Sequence, residues 1–167
     1  MNILFSQILI FFSLAILQGL VFNHINFLGG INPYPYVLFI ILFPIKITDE
    51  TVLIISGFLI GLVVDMFLDT GGIHAGASVF LAYMRALVLR FFFKANYEYH
   101  DIKIKALDVR SKLHYIMILI IIHHLVLFCL QIFNLSEIGL ILKHTLYSGV
   151  FTTLISIIIV ILFYRVY

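Results

Sequence analysis

The chain has 167 residues, of which 63% are hydrophobic and 11% charged, with a mean hydropathy of +1.19 and a net charge of +2. Soluble domains carry roughly 45–50% apolar and about 25% charged residues, so this composition excludes a soluble enzyme, a nucleic-acid-binding module and a sizeable domain outside a membrane. Six spans of about 20 apolar residues each would use about 120 residues and leave only short loops.

The apolar runs predict an all-α integral membrane protein, a compact bundle of six transmembrane helices in one domain over 1–167. In chain order the helices fall at about 3–22, 34–47, 52–68, 73–93, 113–134 and 140–166. The first has no basic flank and no Ala-x-Ala cleavage site, so it reads as an uncleaved span. Pro33 and Pro35 stand where the second span begins, a position that tolerates missing donors, and Pro44 predicts a kink or an early stop. Cys129, the lone cysteine, lies in an apolar run and reads as a small buried hydrophobe.

Charge predicts the orientation. With the N-terminus inside, Lys46, Lys94, Lys103, Lys105, Arg110, Lys112 and Arg165 lie on inner segments, while the outer loops 23–33, 69–72 and 135–139 hold no Lys or Arg. That asymmetry places both termini in the cytoplasm. Tyr34 and Tyr36 then fall at the outer interface, and Tyr97, Tyr115, Tyr164 and Tyr167 near the inner one, as aromatic anchors. The cytoplasmic loop 94–112 interleaves basic residues with apolar ones. It reads either as a topogenic segment on anionic headgroups or as a docking site for a cytoplasmic partner through Lys103, Lys105 and Arg110.

Ionisable residues inside spans cost several kcal/mol unless paired or hydrated, so each is a candidate functional residue. Gly57, Gly61 and Asp65 are spaced by four and share a helix face, a small-residue groove that leads to a carboxylate. The groove serves either helix packing or a ligand. Asp69 and the turn Thr70-Gly71-Gly72 follow, and His74 opens the next span at a depth similar to Asp65. An Asp65–His74 hydrogen bond across the turn would lock a hairpin or relay a proton. Lys143, level with Asp65, Asp69 and Glu137, is the expected countercharge for this outer cluster. Arg85 lies about 18 Å below the outer edge, so a bridge to Asp65 needs a shifted helix. It would instead meet backbone carbonyls, a polar group such as Gln7, or a partner protein. His123 and His124 point about 100° apart and cannot both serve one metal as an i, i+4 pair can. No metal, cofactor or nucleic-acid site is expected, and no catalytic motif is present.

Asn32-Pro33-Tyr34-Pro35-Tyr36-Val37-Leu38-Phe39, Gly61-Leu62-Val63-Val64-Asp65, Gly72-Ile73-His74-Ala75 and Leu81-Ala82-Tyr83-Met84-Arg85 together resemble the rod shape-determining MreD family. These motifs cover about residues 31–90, and the last two spans match by hydropathy alone. The resemblance implies a fold like that of the substrate-binding subunits of energy-coupling-factor transporters. It also implies a non-enzymatic subunit of the bacterial elongation machinery in the inner membrane. The partners it implies are MreC, MreB, the RodA glycosyltransferase and its class B penicillin-binding transpeptidase. Asp65, Gly72 and His74 are the positions that match the family, with no catalytic role to carry over. A different reading, from the same buried Asp65, His74 and Arg85, is a small-molecule transport subunit with an outer crevice. That reading requires a polar, solvent-accessible pocket, whereas a scaffold requires a closed bundle with exposed grooves.

Overall fold

The computed structural model describes residues 3–27, 30–44, 50–93 and 108–163. The regular secondary structure of the described residues is helical, apart from a single bridge that pairs Phe27 with Ile31. Its elements are α1 (Ile3–Leu20), α2 (Leu38–Ile41), α3 (Glu50–Leu68), α4 (Ile73–Phe93), α5 (Val109–Ile132) and α6 (Ile138–Phe163), with 3-10 turns at Phe22–His24, Pro35–Val37 and Leu135–Glu137. Four of them, α1, α3, α5 and α6, are long and apolar enough to cross a membrane. Helix α4 has 21 residues but carries His74, Ser78, Arg85 and Arg90, which lower its hydropathy.

The second predicted span is corrected. Residues 34–44, the described part of the span predicted at 34–47, do not form one long helix: a 3-10 turn passes into the single turn of α2, which closes at Leu42. Pro35 starts the 3-10 turn, and Pro44, with no N–H and a fixed φ, follows two residues after the stop. Among the described residues this short segment is closely enclosed, with Tyr36, Val37, Ile40 and Ile41 wholly buried. Backbone that leaves the helical ladder at membrane depth needs such enclosure, because lipid satisfies no N–H or C=O.

Other boundaries shift by a few residues. Helix α3 begins at Glu50. Helix α5 begins at Val109, where Asp108 accepts a hydrogen bond from the Ser111 N–H at 3.1 Å as an N-cap. It ends where Phe133 turns left-handed at φ 47° and its N–H bonds to the Cys129 carbonyl. Asn134 caps the following 3-10 turn through Ser136 N–H, so α6 begins at Ile138.

Packing is ordered α3 against α4, α4 against α5 and α5 against α6, with α2 held behind α3 and α4 and α1 laid beside α3. Gly61 shows how close the first pair lies: a Cβ there would stand 2.6 Å from both the Ala75 Cα and the His74 carbonyl oxygen. Gly57, one turn earlier, stands against the Ser78 carbonyl in the same way at 3.3 Å. The Gly57/Gly61 face is therefore filled by α4 and is not open to a partner. Helices α1 and α6 present most of their apolar side chains outward, among them Phe5, Phe12, Leu20, Leu146, Leu154 and Leu162, which suits a lipid surround.

Candidate functional site

Polar side chains inside the bundle gather at two levels. At the first, the hairpin between α3 and α4 is closed by Asp65. Its Oδ1 accepts from the His74 N–H at 2.9 Å and from the Thr70 hydroxyl at 2.5 Å, and its Oδ2 accepts from the Ala75 N–H at 2.8 Å. The carboxylate thus satisfies orphan donors of the first turn of α4 and sits at the positive end of its dipole. Gly71 and Gly72 have φ +63° and +100°, a path that lets the turn close in so few residues, and Asp69 joins them at φ 54°.

The expected Asp65–His74 contact exists, but through the His74 backbone rather than its ring. The ring faces inward: Nδ1 lies 3.1 Å from the Tyr36 hydroxyl, which is 2.9 Å from His123 Nε2. One phenolic proton serves two ring nitrogens, so the hydroxyl donates to one and accepts from the N–H of the other. Ser78 Oγ adds a longer contact to the same oxygen at 3.5 Å. Beside it, His124 Nδ1 donates to the Ile120 carbonyl at 2.8 Å, which in the neutral ring leaves Nε2 to accept from the Thr152 hydroxyl at 3.0 Å. Thr152 Oγ1 in turn accepts from the Tyr34 N–H at 2.9 Å. The Tyr34 ring lies 5.2 Å from the His74 ring and 5.7 Å from that of His124. From α1, Gln18 Nε2 donates to the Pro33 carbonyl at 3.1 Å and to Asn23 Oδ1 at 2.7 Å.

The reading of Tyr34 and Tyr36 in this layer, and of Tyr115 at the second level, as interface anchors is corrected. All three are buried, with Tyr36 and Tyr115 at 0% exposure, because their hydroxyls or backbone groups complete hydrogen bonds inside the bundle. Gln18 and Thr152 were also missed as site residues. His123 and His124 diverge as expected, one toward Tyr36 in the 3-10 turn before α2 and one toward Thr152 of α6. Several buried polar atoms have no partner among the described residues, including His123 Nδ1, Thr145 Oγ1 and Ser156 Oγ.

The second level lies eleven residues further along α4, about 16 Å away by helical rise. Arg85, 1% exposed, donates from Nη2 to the Phe43 carbonyl at 2.5 Å and from Nε to the Tyr115 hydroxyl at 3.1 Å. Tyr115 donates to the Ile41 carbonyl at 3.0 Å. The two side chains cap carbonyls that α2 leaves behind where it breaks. Of the destinations open to Arg85, a backbone carbonyl and a polar side chain are both occupied, the latter by Tyr115, and neither Gln7 nor Asp65 is among its bonded groups.

Neither a protein-family model, nor a curated protein, nor a solved structure matches the chain.

The remaining predicted residues are dispersed. Lys143 is exposed on α6 and forms no ion pair with Asp65, Asp69 or Glu137 among the described residues; the donors that satisfy Asp65 are neutral N–H and O–H groups instead. Asp69 is exposed at the hairpin tip. Arg110 is exposed in the first turn of α5, where its carbonyl accepts from His114 Nδ1 at 2.8 Å. Lys103 and Lys105 lie outside the described residues.

Among the described residues, clefts open on the side of the bundle at two places. One, about 650 Å³, runs along the outside of the α3–α4 hairpin past Phe58, Leu62, Met66, Asp69 and Gly76. The other, about 470 Å³, lies where α3 begins and α4 nears its end, between Glu50, Leu53, Ala86 and Arg90.

Proposed function

We propose that this chain is a non-enzymatic subunit of a bacterial cell-wall elongation complex, of the MreD type, that holds partner membrane proteins against its helix faces. In this reading it lies in the inner membrane with both termini cytoplasmic. Its partners are those the resemblance implies: MreC, the MreB filament system, RodA and the class B transpeptidase. The observation that carries the proposal is the closure of the polar centre. Tyr34 and Tyr36 fill the space between α4, α5 and α6 with the chain's own hydrogen bonds, while the clefts face outward along α3 and α4. A scaffold needs that arrangement.

The transport reading draws less support. Asp65 borders the larger cleft, but its oxygens accept from the Thr70 hydroxyl and two N–H groups, and the His74 ring is engaged by Tyr36, so both already have partners within the chain. Co-purification from native membranes, followed by identification of the retained proteins, tests the proposal. Elongation proteins are expected to travel with the chain. Recovery of the energising subunits of a transporter in their place would overturn it. Neutralising Lys103, Lys105 and Arg110 together is expected to release a cytoplasmic partner while the membrane partners stay bound.

A further inference from the structure

The Tyr36 hydroxyl links two imidazoles on different helices, His74 Nδ1 of α4 at 3.1 Å and His123 Nε2 of α5 at 2.9 Å. All three residues are buried, Tyr36 and His123 at 0% exposure. A phenol has one proton, so the two contacts run together in one direction or in the other. In the first direction His74 Nδ1–H donates to the Tyr36 oxygen, and the Tyr36 O–H donates to His123 Nε2. The His123 proton then sits on Nδ1. In the second, His123 Nε2–H donates to the Tyr36 oxygen, and the Tyr36 O–H donates to His74 Nδ1. The His74 proton then sits on Nε2. Both neutral arrangements keep the same two hydrogen bonds, so the contacts themselves favour neither.

The two ends of this short chain are open to a further partner. His123 Nδ1 is buried and has no hydrogen-bond partner among the described residues. At the other end Asp65 accepts from the His74 N–H, and Asp65 and Ala75 border the 650 Å³ cleft. His124 stands apart, because the Ile120 carbonyl and the Thr152 hydroxyl fix its ring in one tautomer.

We propose that His74, Tyr36 and His123 form a proton relay between α4 and α5, a function separate from partner binding. A proton given by water to His123 Nδ1 displaces the Nε2 proton onto the Tyr36 oxygen. The proton that Tyr36 already held passes to His74 Nδ1, and His74 releases its Nε2 proton to water on the cleft side. One proton enters and one leaves, no charge is left behind, and the chain now points the other way. A proton travelling back restores the first state.

Nitrogen-15 NMR of the histidine-labelled full chain in detergent tests this, since ring-nitrogen shifts report which atom carries the proton. His74 and His123 are expected to carry it on the same-named nitrogen, both Nδ1 or both Nε2, and to interconvert at one common rate. His124, whose Nδ1 donates to the Ile120 carbonyl, supplies the fixed reference. Removing a positioned proton carrier costs about a hundredfold or more in rate, so Tyr36→Phe should slow the interconversion by that factor, with circular dichroism reporting that the helices remain. The reading on the native chain needs no variant. Protons on opposite-named nitrogens of the two rings would overturn the proposal. A single fixed pair without interconversion would do so too, by reducing the contacts to static hydrogen bonds. So would an undiminished common rate in Tyr36→Phe.

Discussion

Arg85 and Phe43 are joined side chain to backbone: Nη2 of the buried arginine donates to the carbonyl oxygen two residues beyond the end of α2. A charged residue near the middle of α4 thereby closes a helix break in a different segment. Tyr115 of α5 reaches the same break through the Ile41 carbonyl and also receives a hydrogen bond from Arg85, so three segments meet at one capping cluster.

Tyr115→Phe removes the donor to the Ile41 carbonyl and the acceptor for Arg85 while keeping the ring. A buried group left without its partner costs about 1–3 kcal/mol, and the thermal midpoint in detergent should fall accordingly. In a double-mutant cycle with Arg85→Gln the two losses should be less than additive, since both act on one cluster. Strict additivity would show that the two side chains stabilise the break independently.

Gly61→Ala places a methyl group within 2.6 Å of the α4 backbone, which cannot move aside as a side chain could. Overpacking of this kind costs about 1–3 kcal/mol. Gly76→Ala, on α4, meets only the end of the Leu130 side chain at 3.4 Å and should be near neutral. Expression and thermal stability of the two variants side by side would check the contrast.

Asp65→Leu leaves the His74 and Ala75 N–H groups and the Thr70 hydroxyl without their acceptor, whereas Asp65→Asn keeps one carbonyl oxygen for them. Loss of a helix N-cap costs about 0.5–2 kcal/mol, so Leu should be the more destabilising of the two. Hydrogen exchange at the His74 and Ala75 amides would locate the effect. Unchanged protection there in Asp65→Leu would show that another group caps α4.

Asp108 provides a pH test outside the membrane spans. Its hydrogen bonds with Ser111 hold the carboxyl below its ordinary value of 3.8. A lowered pKa in the folded state means that the cap contributes above the ordinary value and is lost as pH falls through the lower, folded one. Ser111 amide protection should therefore drop in acid below 3.8 in the native chain. In Asp108→Asn, which caps without titrating, it should not.

Much of the bundle was legible because bilayer chemistry is blunt. Long apolar runs located α1 and α3 to α6 within a few residues, and the four-residue steps from Gly57 to Asp65 indicated one face of α3. The fate of residues 34–47 was not legible in the same way. An apolar run has the same composition whether it spans a bilayer or hides behind other helices; only Pro33, Pro35 and Pro44 hinted at the break. Partner choice was also hidden. Tyr36 bonds to residues 38 and 87 positions away, and Tyr34 to one 118 away, separations at which helical periodicity carries no information. Lys143 was matched to Asp65 by depth alone, yet the start of α4 had donors nearer to hand.

The broken segment also constrains how the chain can be made. Residues 35–44 emerge from the ribosome well before Arg85 and Tyr115 exist, and α2, at four residues, is too short to rest in lipid as a helix of its own. Until α4 and α5 have been translated, the carbonyls of Ile41 and Phe43 lack the groups that cap them in the finished bundle. This stretch must therefore wait, at the membrane surface or in the insertion machinery, and enter only after later parts of the chain have arrived. A nascent chain halted before residue 115 should leave it accessible to water-soluble thiol reagents at an introduced cysteine, and one released at full length should not.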